Sequence, residues 1–340
     1  MPSTFSIKTP RDFDLKRDLC SYGYFLLAPN HWDVRRQQFI RTLLLANRAV
    51  TLRITQTAAG APLKVVADAT LSRGDRDAAS LQLARMLRLD EDEEHVGAFH
   101  AVDPRWRASG RGRIMRSPTL FEDIIKTVTS CNVTWPSTIV MNRRLCEVLG
   151  TRSASGLFTF PSADKLALAR PQTLRARCRV GYRDARIIQL AKLYRSALSR
   201  PDTTRPANRR TPTKPAPIID LALLQDPTTP DDVIFKSLVA LPGIGPYAAA
   251  NIMQLLGRYA RLPLDTESVR HGRTLLGFKG SSPQVMKKVQ AHFKPFGPHA
   301  FRSYWFEMWS FYESKHGPAW TWERDSTGKM FTAAQLNPKA

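Results

Sequence analysis

The sequence predicts an α+β chain, with an amino-terminal antiparallel β-sheet and its helix followed by a mostly α-helical second part. Three observations predict it. Ala49-Val50-Thr51-Leu52-Arg53-Ile54-Thr55 alternates with the period of a half-buried strand. Leu63-Lys64-Val65-Val66-Ala67 is a second β-prone run, separated from the first by the turn material Ala58 to Pro62. Beyond Leu120 the apolar residues recur at helical spacing instead. Between the two textures lies Ser109-Gly110-Arg111-Gly112-Arg113, which has the composition of a flexible basic link. The domains drawn from these shifts are an α/β part over 1–108, a helical part over 109–317 and a tail over 318–340.

The first part also carries Tyr22, Tyr24 and Phe25, either a pocket wall or core aromatics. Ala78 to Leu87 has a helical pattern, and the acidic run Asp90 to Glu94 reads as a solvated helix start. In the second part, Ser117-Pro118-Thr119-Leu120-Phe121-Glu122 opens a helix with a serine or threonine cap. Its buried face is Leu120, Phe121, Ile124, Ile125 and Val128, and it runs into Thr129-Ser130-Cys131-Asn132-Val133-Thr134-Trp135-Pro136. Val180-Gly181-Tyr182-Arg183 precedes a helix bearing Ile187, Ile188, Ala191, Tyr194 and Leu198. Ser199 to Pro217 is rich in proline, threonine and arginine and reads as a mobile basic insertion. Thr266 to Leu276 is another helix, with Arg270 and His271 early in it. Phe301, Tyr304, Trp305, Met308, Trp309 and Tyr312 form a late stripe that reads as a core face.

Composition limits the partners. With 51 Lys+Arg against 29 Asp+Glu, the formal charge is +22, which attracts a polyanion in a salt-dependent way. No apolar run is long enough to span a bilayer and no basic amphipathic helix marks an anchor, so nucleic acid is the expected partner and a membrane is not. Met1 to Pro10 lacks the apolar core of a secretory leader. The expected location is therefore the cytoplasm or nucleoid of a bacterium, or the nucleus of a eukaryote. Cys20, Cys131, Cys146 and Cys178 are scattered, without disulfide or zinc spacing, and no metal is expected.

Chemistry concentrates at Leu241-Pro242-Gly243-Ile244-Gly245-Pro246-Tyr247-Ala248. Asp231 and Asp232 open an apolar stripe of Val233, Ile234, Leu238 and Leu241. After the glycines, Pro246 takes a first-turn position, and Ala248, Ala249, Ile252, Met253 and Leu256 make a second stripe ending at Gly257. This is helix, glycine hairpin, helix. Gly243 and Gly245 leave room for a close visitor, and the amides of Tyr247 and Ala248 at the second helix start suit a phosphate. Leu262-Pro263-Leu264-Asp265 follows.

The Leu-Pro-Gly-Ile-Gly hairpin with Asp265 behind it resembles the signature of the helix-hairpin-helix superfamily of DNA base-excision glycosylases. The likeness spans roughly Phe13 to Gly317 and includes Phe160-Pro161-Ser162-Ala163-Asp164 and the strands before the catalytic part. It implies that Asp265 is the catalytic carboxylate, and that Gly243, Gly245, Tyr247 and Ala248 meet the DNA backbone. It implies that Asn132 enters the duplex where the target base has left, although a helix C-cap explains Asn132 equally well. Tyr182 is then a wedge in the base stack, Arg183 reaches a phosphate or base, and Arg270 is a phosphate or structural partner. Trp135, Tyr247 and the amino-terminal aromatics, Phe25 among them, are pocket candidates. His271 reads as structural. Some members carry a four-cysteine iron–sulfur cluster after the catalytic region; here the last cysteine is Cys178, upstream of the hairpin, so none is expected. Hairpin carbonyls in the family also bind a monovalent cation, which no residue here specifies.

Members that cut the strand place a lysine early in the second hairpin helix, where this chain has Tyr247. A phenol cannot form a Schiff base, so the resemblance implies a monofunctional glycosylase, acting as a monomer on double-stranded DNA with a damaged base. The aromatic at that place resembles the alkylbase branch, whereas Asn132 and Gly181-Tyr182-Arg183 resemble the 8-oxoguanine branch. Ser137, where the latter has an arginine, and Ser21-Tyr22-Gly23-Tyr24-Phe25, where it has Ser-Gly-Gln-x-Phe, depart from it. The expected substrate is an alkylated purine such as 3-methyladenine. An oxidised-purine glycosylase, a lyase using another lysine, a non-catalytic damaged-DNA-binding protein on the same fold and an RNA-binding protein remain open.

Overall fold

The computed structural model describes residues 2–46, 48–199 and 217–327. The basic proline-rich insertion lies almost wholly outside the described residues, as does the end of the tail.

Five strands, β1 (Thr4–Ile7), β2 (Asn30–Asp33), β3 (Gln38–Leu45), β4 (Arg48–Thr55) and β5 (Leu63–Ala67), form one antiparallel sheet in the order β1-β5-β4-β3-β2. The expected alternating runs are β4 and β5, paired so that Leu52 faces Ala67 and Ile54 faces Val65. Val50, Leu52, Ile54, Leu63 and Val65 are fully buried. In the same core the helix Arg73–Leu87 buries Ala79, Leu83, Met86 and Leu87. Its start is fixed by a capping box, Ser72 accepting from the Asp75 amide at 3.0 Å and Asp75 accepting from the Ser72 amide at 3.3 Å.

The link at Ser109 to Arg113 is not the flexible segment its composition suggests. Arg113 is buried and donates to both Asp12 carboxylate oxygens at 2.8 and 2.9 Å, and Arg111 pairs with Glu313. A Cβ on Gly112 would lie 2.7 Å from Val96 Cγ1. Its glycine and arginines answer to close packing and buried pairing.

Two apolar cores result. One joins the sheet to the helices Thr266–Thr274, Ser282–Phe293 and Ala300–His316, and includes Trp322 from the tail. The other is built within the intervening chain from Leu120, Ile125, Leu145, Leu166, Ile187, Ile234, Ile252 and their neighbours. Across them, Arg41 on β3 donates to Glu122 on the helix Leu120–Ser130 at 2.9 and 2.6 Å, and Lys126 pairs with the same carboxylate at 2.7 Å. All three are buried. Among the described residues no helix is long and apolar enough to cross a membrane.

Candidate functional site

The hairpin joins the helices Asp231–Val239 and Pro246–Leu255. Leu241 and Ile244 anchor it by burial, while Gly245 and Pro246 are exposed. Gly243 has φ +75°, and a Cβ there would also strike Arg186 Cδ at 2.6 Å. Both facts require glycine. Gly245 is extended with open space around it. The first bond of the second helix runs from the Ala249 amide to Gly245 O at 2.9 Å, so the Tyr247 and Ala248 amides precede any intrahelical acceptor. The Ala248 side chain itself is buried, so that residue offers only its backbone.

Asp265 is the N-cap of the helix Thr266–Thr274. Its Oδ1 accepts from the amides of Glu267 at 2.9 Å and Ser268 at 3.1 Å, and Ser268 Oγ accepts from the Asp265 amide at 3.1 Å. Burial pushes its pKa up to about 6, a rise that the nearby Glu267 charge reinforces and that the cap and the Tyr247 hydroxyl oppose. Burial also raises Tyr247 well above an ordinary phenol.

Asp265 stands at the wall of a cleft of about 410 Å³. Tyr22, Gly23 and Tyr24 supply one side, Val133 to Trp135 another, and Tyr247 and Asn251 a third. Tyr304, Trp305, Met308, Trp309 and Tyr312 of the long helix close it. Among the described residues the lining holds two carboxylates, Asp265 and Glu267, and no lysine, arginine or histidine. The polar ends of four of these aromatics are tied down. Trp305 Nε1 donates to Ser21 O at 2.7 Å, Trp309 Nε1 to Cys20 O at 3.1 Å, Tyr22 Oη to Asn251 Oδ1 at 3.2 Å and Tyr312 Oη to Glu267 Oε2 at 2.6 Å. Trp305 and Trp309 are stacked at 5.3 Å along this wall.

Of the expected pocket residues, Tyr247 and Trp135 line the cleft with Asp265, and Phe25 does not. Gly23–Leu26 is a single 3-10 turn, whose successive side chains diverge by roughly 120°. Phe25 is fully buried in the sheet core, and Tyr22 and Tyr24 take the wall. The late aromatic stripe, read as a core face, is also a cleft wall. Its signal was chemical: tyrosines and tryptophans at positions where a plain core takes leucine carry polar tips that need partners.

Among the expected DNA contacts, Asn132 is exposed and has φ +50°, directly after the C-cap Cys131. Its backbone is left-handed and its amide side chain is at the surface. Tyr182 is 55% exposed, its ring under the guanidinium groups of Arg183 at 4.5 Å and Arg186 at 5.3 Å. Arg183 is buried and bonded to four backbone carbonyls, so its guanidinium is not directed to a phosphate. Arg270 is likewise buried, donating to Glu267 at 2.8 Å beneath Phe311 and Tyr312. Both arginines serve the protein interior. His271 is buried with its Nε2 at 2.9 Å from Glu307. Among the described residues no cluster of His, Cys, Asp and Glu is placed to hold a metal ion.

No family model matches the sequence, and no curated protein does. Solved structures do match. A 3-methyladenine DNA glycosylase from Archaeoglobus fulgidus aligns with TM-score 0.63 at 16% identity, over 88% of this chain and 96% of its own. An 8-oxoguanine glycosylase/lyase from Clostridium acetobutylicum aligns in its apo form with TM-score 0.62 at 17% identity, over 90% and 96%. The same enzyme in complex with double-stranded DNA aligns with TM-score 0.61 at 17% identity, over 93% and 98%. The chain has the helix-hairpin-helix glycosylase fold. This glycosylase fold resembles both branches in near-equal measure, and at these identities the likeness concerns architecture. The hairpin, the Asp265 cap and the aromatic cleft described above are this chain's own version of it.

Proposed function

We propose that the protein is a monofunctional DNA glycosylase that takes a damaged base out of the duplex and hydrolyses its N-glycosidic bond. The observation that carries this reading is the Asp265 carboxylate at the wall of an aromatic cleft large enough for a base. Breaking the bond between base and deoxyribose builds positive charge on the sugar. With Oδ1 held by the cap, the carboxylate is fixed in place to face that charge and orient a water. Preorganised electrostatics of this kind are worth about 3–4 kcal/mol per group. The hairpin amides take a phosphate, the exposed Asn132 and Tyr182 enter the space left by the base, and the cleft receives it.

The substrate class follows from the same walls. Electron-rich rings and the Asp265 carboxylate, whose neighbour Glu267 is already paired with Arg270, favour a positively charged base, as alkylation of a purine produces. A 3-methyladenine-type lesion fits this chemistry. The absence of lysine from the described lining supports water as the nucleophile. An oxidised purine is the second reading, favoured by the equal likeness to the 8-oxoguanine glycosylase/lyase.

The test is single-turnover base release from duplexes bearing alkylated, deaminated or oxidised bases, wild type against Asp265→Asn. Release of an alkylated purine, strand breakage only after alkali, no borohydride-trapped adduct and at least an about hundredfold loss in the variant are expected. Preferred release of an oxidised purine would establish the second reading. A trapped adduct would establish a lyase, and tight duplex binding without release a non-catalytic sensor.

A further inference from the structure

Two exposed groups, Asn132 and Tyr182, come from segments far apart in sequence, and one buried side chain lies between them. Arg183 Nε donates to Val128 O at 3.2 Å and Nη1 to Val180 O at 3.3 Å. Its Nη2 donates to Cys131 O at 2.5 Å and Asn132 O at 3.3 Å. Val128 belongs to the last turn of the helix Leu120–Ser130, where carbonyls lack intrahelical donors, so the guanidinium also caps that helix with the favourable sign of charge. Both turns it bridges are conformationally costly. Asn132 has φ +50°, and Arg179 and Gly181, on the other side, have φ +60° and +59°. Left-handed non-glycine residues persist where the surroundings over-determine them. The same guanidinium lies 4.5 Å from the Tyr182 ring centre.

We infer that Arg183 is a positioning residue that makes Asn132 and Tyr182 one rigid unit for opening the duplex. The inference rests on the glycosylase reading for what that unit does, and on hydrogen-bond geometry for what holds it. Arg183 touches neither the cleft nor the reacting bond, so its removal slows extrusion of a paired base and spares the chemistry on a base already displaced.

The experiment compares wild type, Arg183→Met and Arg183→Lys on one 7-methylguanine, either paired with cytosine or opposite an abasic spacer. A neighbouring 2-aminopurine reports unstacking independently of bond cleavage. For Arg183→Met the expected result is a loss of about tenfold or more on the paired lesion and within about threefold of wild type opposite the spacer, since an unpaired base is less costly to extrude. Arg183→Lys, with fewer donors, recovers part of the loss. Equal losses on the two substrates, or none on either, overturn the inference. Should Arg183→Met fail to fold, the exposed pair Asn132→Ala and Tyr182→Ala still tests it. Strongly non-additive losses are expected from one unit, and independent, multiplying losses overturn it. Arg183-dependent unstacking without base release would sink the alkylpurine reading and keep the unit. Release without Arg183 dependence does the reverse, and a wild type that neither unstacks nor releases overturns both.

Discussion

Asp265→Asn is expected to stabilise the fold while abolishing base release. The ordinary aspartate value is 3.8, and burial pushes Asp265 up to about 6 in the folded chain. Between these values the folded protein keeps a proton that the unfolded chain has lost. Stability therefore declines as pH rises through that window, and above about 6 the whole cost stands, about 3 kcal/mol at most. Asparagine removes the charge and keeps the cap, because its carbonyl oxygen accepts the Glu267 and Ser268 amides as the carboxylate does. Urea melts of the two proteins near neutral pH should place the variant about 2–3 kcal/mol above wild type, and the gap should close at about pH 4. Base release in the same variant falls about a hundredfold or more, because the amide bears no charge to set against the sugar cation. In the wild type, the rate should drop as pH falls through about 6, where the carboxylate takes up its proton. A variant no more stable than wild type near neutrality, or a stability gap independent of pH, refutes the idea that the cleft holds this carboxylate against its own desolvation.

Three further outcomes follow from neighbouring contacts. Glu267→Gln takes a like charge away from Asp265, so the acid limb of the rate profile should move to lower pH; an unmoved or raised limb contradicts the coupling. Gly23→Ala places a Cβ 2.9 Å from Trp135 Cζ2, so the indole must shift from its place in the cleft wall; base release should fall about ten- to a hundredfold with little change in melting temperature, and unimpaired release would show that the indole position is immaterial. Glu122→Gln strands Arg41 and Lys126 as buried cations and should cost about 3–5 kcal/mol by chemical denaturation, whereas a loss below about 1 kcal/mol would show that these charges find other partners. Burial opposes the Glu122 charge, but Arg41 and Lys126 outweigh it and hold the pKa at about 2; its contribution is complete above 4.5 and is lost as pH falls toward 2.

What the sequence disclosed was what local chemistry alone decides. Gly243 in a left-handed turn and Pro246 in the first helical turn are each legible because a few neighbouring backbone atoms demand that residue type, whereas Asp265 stood out by its place behind the hairpin and its role as a cap was not read. Strands β4 and β5 were legible through clean alternation, whereas β3 was hidden because Arg41 and Thr42 are both buried along it. The cleft was illegible as a cleft. Its walls come from positions 22–24, 130–138, 247–251, 263–267 and 304–312, and packing alone brings them together. Phe25 was misplaced for the same reason: its neighbours Tyr22 and Tyr24 have the same character, and one tight turn decides which ring faces inward.

Charge is sorted in this molecule in a way its total does not convey. Arg41, Arg88, Arg113, Arg183 and Arg270 are buried and bonded to carboxylates or carbonyls, so these basic residues bind the protein to itself. The two charged groups lining the cleft are both carboxylates. A polyanion is thus attracted by the net field of +22, while the described lining of the cleft offers rings, the Asp265 carboxylate and a Glu267 already paired with Arg270. On the proposed reading a neutral base gains only stacking there. A cationic base gains both stacking and Coulomb attraction, and its glycosidic bond breaks with the electron pair returning to a ring already short of one. On the proposed reading, the carboxylate that is costly to hold is also the group that separates a cationic lesion from the neutral bases around it.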